Sequence, residues 1–182
     1  MVLSLVIWLL TTNLMPAAKL VLPRTIEDVC PFECCGYGTW VAMQDSKAYT
    51  TRGDASEVAF IVHKGEAVAT IGGDYIVRKA GKAIVTQPYS ENGHQFSKGD
   101  EIAPLAYLGE GAWQIWLQGK FIDLDFYWIR QEFKEWPEME WWINATNAQG
   151  MRGWLRIRVL QPQDAMSAIR FDQHFSGMDG CD

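Results

Sequence analysis

Apolar positions fall in short runs between glycines from Trp40 to Val159, and many of the runs alternate apolar with polar residues. That spacing, with a period of two, predicts strands. Runs are expected at 59–62, 67–71, 74–78, 83–86, 102–108, 113–117, 121–129, 141–145 and 154–159. In the stretch 121–129, Ile122, Leu124, Phe126 and Trp128 take one face while Asp123 and Asp125 take the other. In the last run, Leu155, Ile157 and Val159 face one way and Arg156 and Arg158 the opposite way. Gly109-Glu110-Gly111 predicts a tight hairpin, and Gly72-Gly73 predicts a turn between two of the strands.

Helix signals are sparse. Residues 130–136 hold good helix formers ahead of Pro137, which allows a turn or two. Residues 164–171 could form another short helix with Asp164 as its cap. The pattern therefore predicts an all-β chain with short helical turns. A weak internal repeat aligns Lys64-Gly65-Glu66 with Lys98-Gly99-Asp100, each ahead of an apolar run. In each copy the glycine supplies a positive φ, and the acid is expected to hydrogen-bond backbone two residues on.

Composition sets outer limits. The chain has 182 residues, of which 48% are hydrophobic, enough for a packed core in one medium domain or two small ones. Its net charge of −6 provides no basic excess for a phosphate backbone, so nucleic acid is not an expected partner. Nine tryptophans point to β-rich cores, a binding surface, or both.

Residues 1–18 carry no charge, and the apolar run 2–10, broken only by Ser4, is too short to span a bilayer. Its length and the small residues after it read as a signal peptide, with an uncleaved anchor or a buried first strand as alternatives. An extracytoplasmic location, periplasmic or secreted, is expected, with membrane association only if the segment stays uncleaved. The cysteines agree with export. Cys30, Cys34, Cys35 and Cys181 make an even set, read as two disulfides. Cys30 is expected to bond Cys34 or Cys35, leaving the other to reach Cys181 and tie down the tail. Zinc is not expected, because Cys30, Cys34 and Cys35 have no second pair at knuckle spacing and His63, His94 and His174 are scattered.

The motif order resembles bacterial SH3 domains. Lys98-Gly99-Asp100-Glu101-Ile102 leads into a strand, Gly111-Ala112-Trp113 begins the next, and Trp141-Trp142-Ile143-Asn144 precedes Gly153-Trp154-Leu155. In that family a K-G-D turn precedes a strand, a tryptophan opens the following one and G-W-V closes the barrel. Lys64-Gly65-Glu66 looks like the same turn in a more degenerate copy. Cys30-Pro31-Phe32-Glu33-Cys34-Cys35, with Trp40, also resembles the start of uncharacterised exported bacterial proteins that carry SH3-like domains. The resemblance implies two barrels, at 40–80 and 81–160, after a Cys-rich segment at 19–39 and before a tail at 161–182. One elaborated barrel is the alternative. The first copy lacks a closing G-W, and the second carries an insertion at 121–140.

The resemblance implies binding without catalysis, with cell-wall peptide or glycan as the ligand class and peptidoglycan or an envelope protein as partner. No metal or cofactor is expected. Trp113, Trp116, Trp128, Trp141 and Trp142 are the candidate ligand contacts, since flat rings stack on sugars and extended peptides. Trp141 and Trp142 are adjacent, so in a strand they point to opposite faces and only one belongs to a single core. The other is exposed or covered by another element. The alternative function is a structural or interaction subunit whose aromatic face is buried against a protein partner. Glu132, Glu135, Glu138, Glu140, Asp123 and Asp125 lie near the tryptophans and read as a solvated acidic loop rather than a glycosidase pair.

Overall fold

The computed structural model describes residues 18–31, 36–125, 131–160, 170–172 and 174–178. The leader 1–17, Cys34, Cys35, Cys181, Trp128 and most of the 164–171 segment lie outside the described residues.

The described chain is all-β, with curled antiparallel sheets and no helix. The strands are β1 (Arg24–Ile26), β2 (Thr39–Ala42), β3 (Ser46–Tyr49), β4 (Val58–Val62), β5 (Ala67–Lys79) and β6 (Lys82–Val85). Then come β7 (Tyr89–Glu91), β8 (His94–Phe96), β9 (Glu101–Gly109), β10 (Ala112–Leu117) and β11 (Lys120–Asp125). The last five are β12 (Gln131–Glu135), β13 (Glu138–Thr146), β14 (Arg152–Leu160), β15 (Arg170–Phe171) and β16 (Phe175–Ser176).

A nine-stranded sheet runs β16-β2-β5-β13-β14-β3-β4, with β1 also on β5 and β15 also on β14. A five-stranded sheet runs β11-β10-β9-β6-β12, and β7 pairs with β8. The two larger sheets share a plan. In the smaller one, chain order β6, β9, β10, β11, β12 is laid out fourth-third-second-first-fifth. In the larger one, β2, β5, β13, β14 and β16 are laid out the same way. Each carries a hairpin between its first and second strands, β3–β4 in one and β7–β8 in the other. Residues 82–135 thus lie between the second and third strands of the larger plan. Pairing runs across the boundary expected at 80 and 81, since β13 pairs with β5 and β14 with β3.

The repeat seen in sequence has matching geometry. The Glu66 carboxylate accepts from the His63 amide (2.8 Å), and the Glu66 amide donates to the His63 carbonyl (2.9 Å). Asp100 does the same with Ser97, at 2.7 and 3.0 Å. Gly65 and Gly99 have φ of 86° and 95°, and donate to the Ala42 and Val85 carbonyls at the ends of β2 and β6. The carboxylate reaches back three residues, where a bond two residues onward was expected, and so locks the turn from within.

Two local expectations are corrected. Gly72-Gly73 is no turn: both sit within the 13-residue β5. Gly73 leaves the room that the Trp141 indole, the Tyr37 hydroxyl and Ile143 occupy. Residues 131–135 form a strand on β6, not a helix. Phe133 stacks on Trp136 at 3.8 Å and packs on Trp113 at 5.4 Å, and that burial overrides helix propensity.

One apolar cluster joins the two sheets, running from Trp40, Tyr75, Trp141 and Ile143 to Leu105, Trp113 and Ile115. The N-terminal segment touches both. β1 pairs with β5, the Val29 amide donates to the Gly73 carbonyl, and Arg24 lies 3.5 Å from the centre of the Phe121 ring on β11. Cys30 is disulfide-bonded, and its partner lies outside the described residues.

Candidate functional site: a cationic cleft beside the first hairpin

The structure disperses the tryptophans expected to form a groove. Trp113 is buried against Tyr107, Phe133 and Trp136. Trp116 is half-buried and packs on Phe121. Trp141 is 0% exposed, touches Trp40 and Phe171, and donates its Nε1–H to the Val29 carbonyl at 3.0 Å. Trp142 points to the opposite face, as alternation requires, yet is only 1% exposed. It is covered by another element: Tyr49 of β3 meets it edge-on at 5.7 Å, and the Arg156 guanidinium lies 5.7 Å from its ring. Neither Trp141 nor Trp142 presents a face to a ligand.

Around Trp142 the outer face of the large sheet carries a charged layer. Register sets it, because Asp74, Trp142 and Arg156 lie side by side across β5, β13 and β14, with Glu140 one row along. Glu140 is 8% exposed and accepts from Arg78 (3.1 Å), from Arg156 and from the Trp142 indole (3.2 Å). Asp54, from the loop between β3 and β4, pairs with Arg78 at 2.9 Å and reaches Arg156 at 3.6 Å. Arg52 of the same loop pairs with Asp74 and lies 4.8 Å from the Trp154 ring. Asp74 also accepts from the Asp28 amide at 3.0 Å. Burial pushes the Glu140 carboxyl up, but the hydrogen bonds from Arg78 and Arg156 outweigh it and hold it below the ordinary carboxylate range. The layer fixes the hairpin loop onto the sheet.

Beside this layer, β3, β14 and residues 174 and 175 enclose a cleft of about 450 Å³. Tyr49, half-buried, adds an aromatic edge, while Leu155 and Phe175 close the cleft from beneath with their side chains in the core. Ser46, Lys47, Arg156, Arg158, His174 and Asp45 complete the lining. The Asp45 carboxylate accepts from the Lys64 amide (2.9 Å) and meets His63 Nδ1 (3.3 Å), and these bonds hold it below its usual range. Asp172 lies 2.9 Å from His174 Nε2 and 3.8 Å from Arg158 Nε.

This lining suits binding. It combines hydrogen-bond donors and cations with an aromatic edge. Among the described residues, no group of three or more His, Cys, Asp and Glu side chains is placed to hold a metal ion. The acidic residues near 121–140, expected on a solvated loop, lie on β11, β12 and β13 instead, with Glu140 buried: Glu135 pairs with Lys79 at 2.8 Å, Glu132 with Lys134, and Asp123 accepts from Gln114 at 3.1 Å. Sequence reasoning missed the cleft. Only the outward placement of Arg156 and Arg158 was readable, because Lys47 and His174 reach it through long-range pairing.

Comparison with known protein families, curated proteins and solved structures gives no match for this chain.

Proposed function

We propose that the chain is an extracytoplasmic, non-catalytic binding protein built of two SH3-like barrels, the second inserted within the first. Its ligand is cell-wall peptide or glycan, held in the cleft between β3, β14 and residues 174 and 175. The observation that carries this reading is the cleft itself: a concave site of about 450 Å³, with an aromatic edge and a polar, cationic rim, beside a hairpin bolted to the sheet. The barrel assignment is supported by the doubled strand plan, each copy with a hairpin after its first strand and a lysine-glycine-acid turn ahead of its second. A disulfide at Cys30 agrees with an oxidising compartment.

The test is a pull-down of residues 19–182, made under oxidising conditions, with purified peptidoglycan sacculi. Binding is expected, and Ser46→Trp, which fills the cleft, should abolish it while Trp116→Ala leaves it intact. No binding by a folded, oxidised sample removes the wall-ligand reading. Undiminished binding by a folded Ser46→Trp variant moves the site elsewhere.

A further inference from the structure

We infer that the cleft recognises carboxylate groups, so that its ligand is an acidic peptide and not a neutral glycan. The inference rests on the cleft being the binding site. The chain as a whole is acidic, at −6, yet three of the residues lining this cleft are Lys47, Arg156 and Arg158. The carboxylates nearby are already engaged. Asp45 is held by the Lys64 amide and His63, and Asp172 by His174 at 2.9 Å. The cations are engaged unequally. Arg156 is tied to Glu140 and Asp54. Arg158 is 74% exposed and meets Asp172 through Nε at 3.8 Å, and among the described residues its two terminal amino groups have no closer partner and face a ligand. Lys47 has no ion pair among the described residues. An open guanidinium fork matches a carboxylate in two parallel hydrogen bonds, and an ammonium beside it adds a second, less directional contact. The half-buried Tyr49 ring belongs to the same lining and offers an edge to the apolar part of a short peptide.

Register explains why this arrangement exists. Arg156 and Arg158 share the outer face of β14, but only Arg156 lies next to the row that contains Asp74 and Trp142. Arg158 sits opposite Glu140 in register, yet Glu140 turns its oxygens to Arg78 and Arg156. The second arginine is therefore left facing the cleft.

Calorimetric titration of the oxidised full chain with the N-acetylated stem tetrapeptide acetyl-Ala-γ-D-Glu-Lys-D-Ala, which carries two carboxylates against one amine, tests this, alongside the same peptide with every carboxylate converted to amide. The free-acid form should bind at least about tenfold tighter, and a combined Lys47→Ala and Arg158→Ala change should erase that difference. Affinity for the acid form should also fall as salt rises, while thermal unfolding of the variant stays near that of the parent. Equal binding of the two peptides, or binding of neither, overturns the inference. Inorganic phosphate competing as well as the acid peptide would also overturn it, by pointing to a phosphate polymer. Sacculi separate this inference from the broader reading. Sacculi that bind equally before and after carbodiimide amidation keep the wall ligand and sink the carboxylate. A peptide that binds while sacculi do not keeps the carboxylate and sinks the wall ligand.

Discussion

Gly73 shows how one absent side chain places several others. A Cβ there would lie 2.6 Å from Trp141 Nε1, 2.7 Å from the Tyr37 hydroxyl and 2.8 Å from Ile143 Cδ1. Both Tyr37 and Trp141 donate to the Val29 carbonyl, at 2.6 and 3.0 Å, so neither can retreat without breaking a bond. A Cβ on its neighbour Gly72 would have nothing within 4 Å. Gly73→Ala should therefore destabilise the fold by about 1–3 kcal/mol. Gly72→Ala should stay within about 0.5 kcal/mol of the parent. Urea unfolding of the two variants decides it, and equal costs would remove the close-approach account. At this scale sequence carried half the information. The alternation that sends Trp141 and Trp142 to opposite faces was readable from their adjacency. What covers Trp142 was not, because Tyr49 and Arg156 arrive from strands far away in the chain. Gly73 misled for the same reason: a glycine pair reads as a turn unless the side chains filling its space are known.

At the scale of elements, the β5–β13–β14 face is held by charge as well as by its ladder. Glu140 is the hub, with two arginines and an indole on one carboxylate. Its folded-state pKa lies below the ordinary value, so its contribution is fully present above the unfolded pKa and is lost as pH falls through the folded one. Glu140→Gln should cost roughly 1–3 kcal/mol at neutral pH, since it leaves Arg78 and Arg156 side by side with only the more exposed Asp54 as shared counter-charge. The gap between parent and variant should narrow as pH drops below the usual carboxylate range. Thermal melts from pH 7 to pH 3 measure this, and a gap that is constant across the series would refute the ion-pair account. Most strands were legible from period-two alternation, because each has one buried face. The segment 131–135 was not. Its composition favours helix, and only the Trp113 and Trp136 rings and the open edge of β6 make it a strand.

For the whole molecule, the departures from a tandem arrangement visible in sequence become one feature. The stretch at 40–80 holds only the first and second strands of the larger plan, whose third and fourth come after residue 137, where Trp141 and Gly153-Trp154 lie. The extra residues at 121–140 include most of β11 and all of β12, the fourth and fifth strands of the smaller sheet. A linear reading cannot see this nesting, since strands from both plans alternate apolar and polar in the same way. The two crossings lie together: a Cβ on Gly81 would sit 2.8 Å from the Glu135 carbonyl and 2.9 Å from Pro137, and Lys79 pairs with Glu135 at 2.8 Å. Such a junction could act as a hinge between independent bodies. Three contacts argue against that. The buried cluster is continuous from Trp141 to Trp113, Arg24 lies over Phe121, and the Cys30 carbonyl sits beside Gly109 of β9. The N-terminal segment thus spans both sheets, and opening either one would expose core belonging to the other. Scanning calorimetry of the oxidised chain should give a single transition, with calorimetric and van't Hoff enthalpies in a ratio near one. Two resolved transitions would mean that the inserted sheet folds on its own, and that the N-terminal strap is a surface contact, not part of a common core.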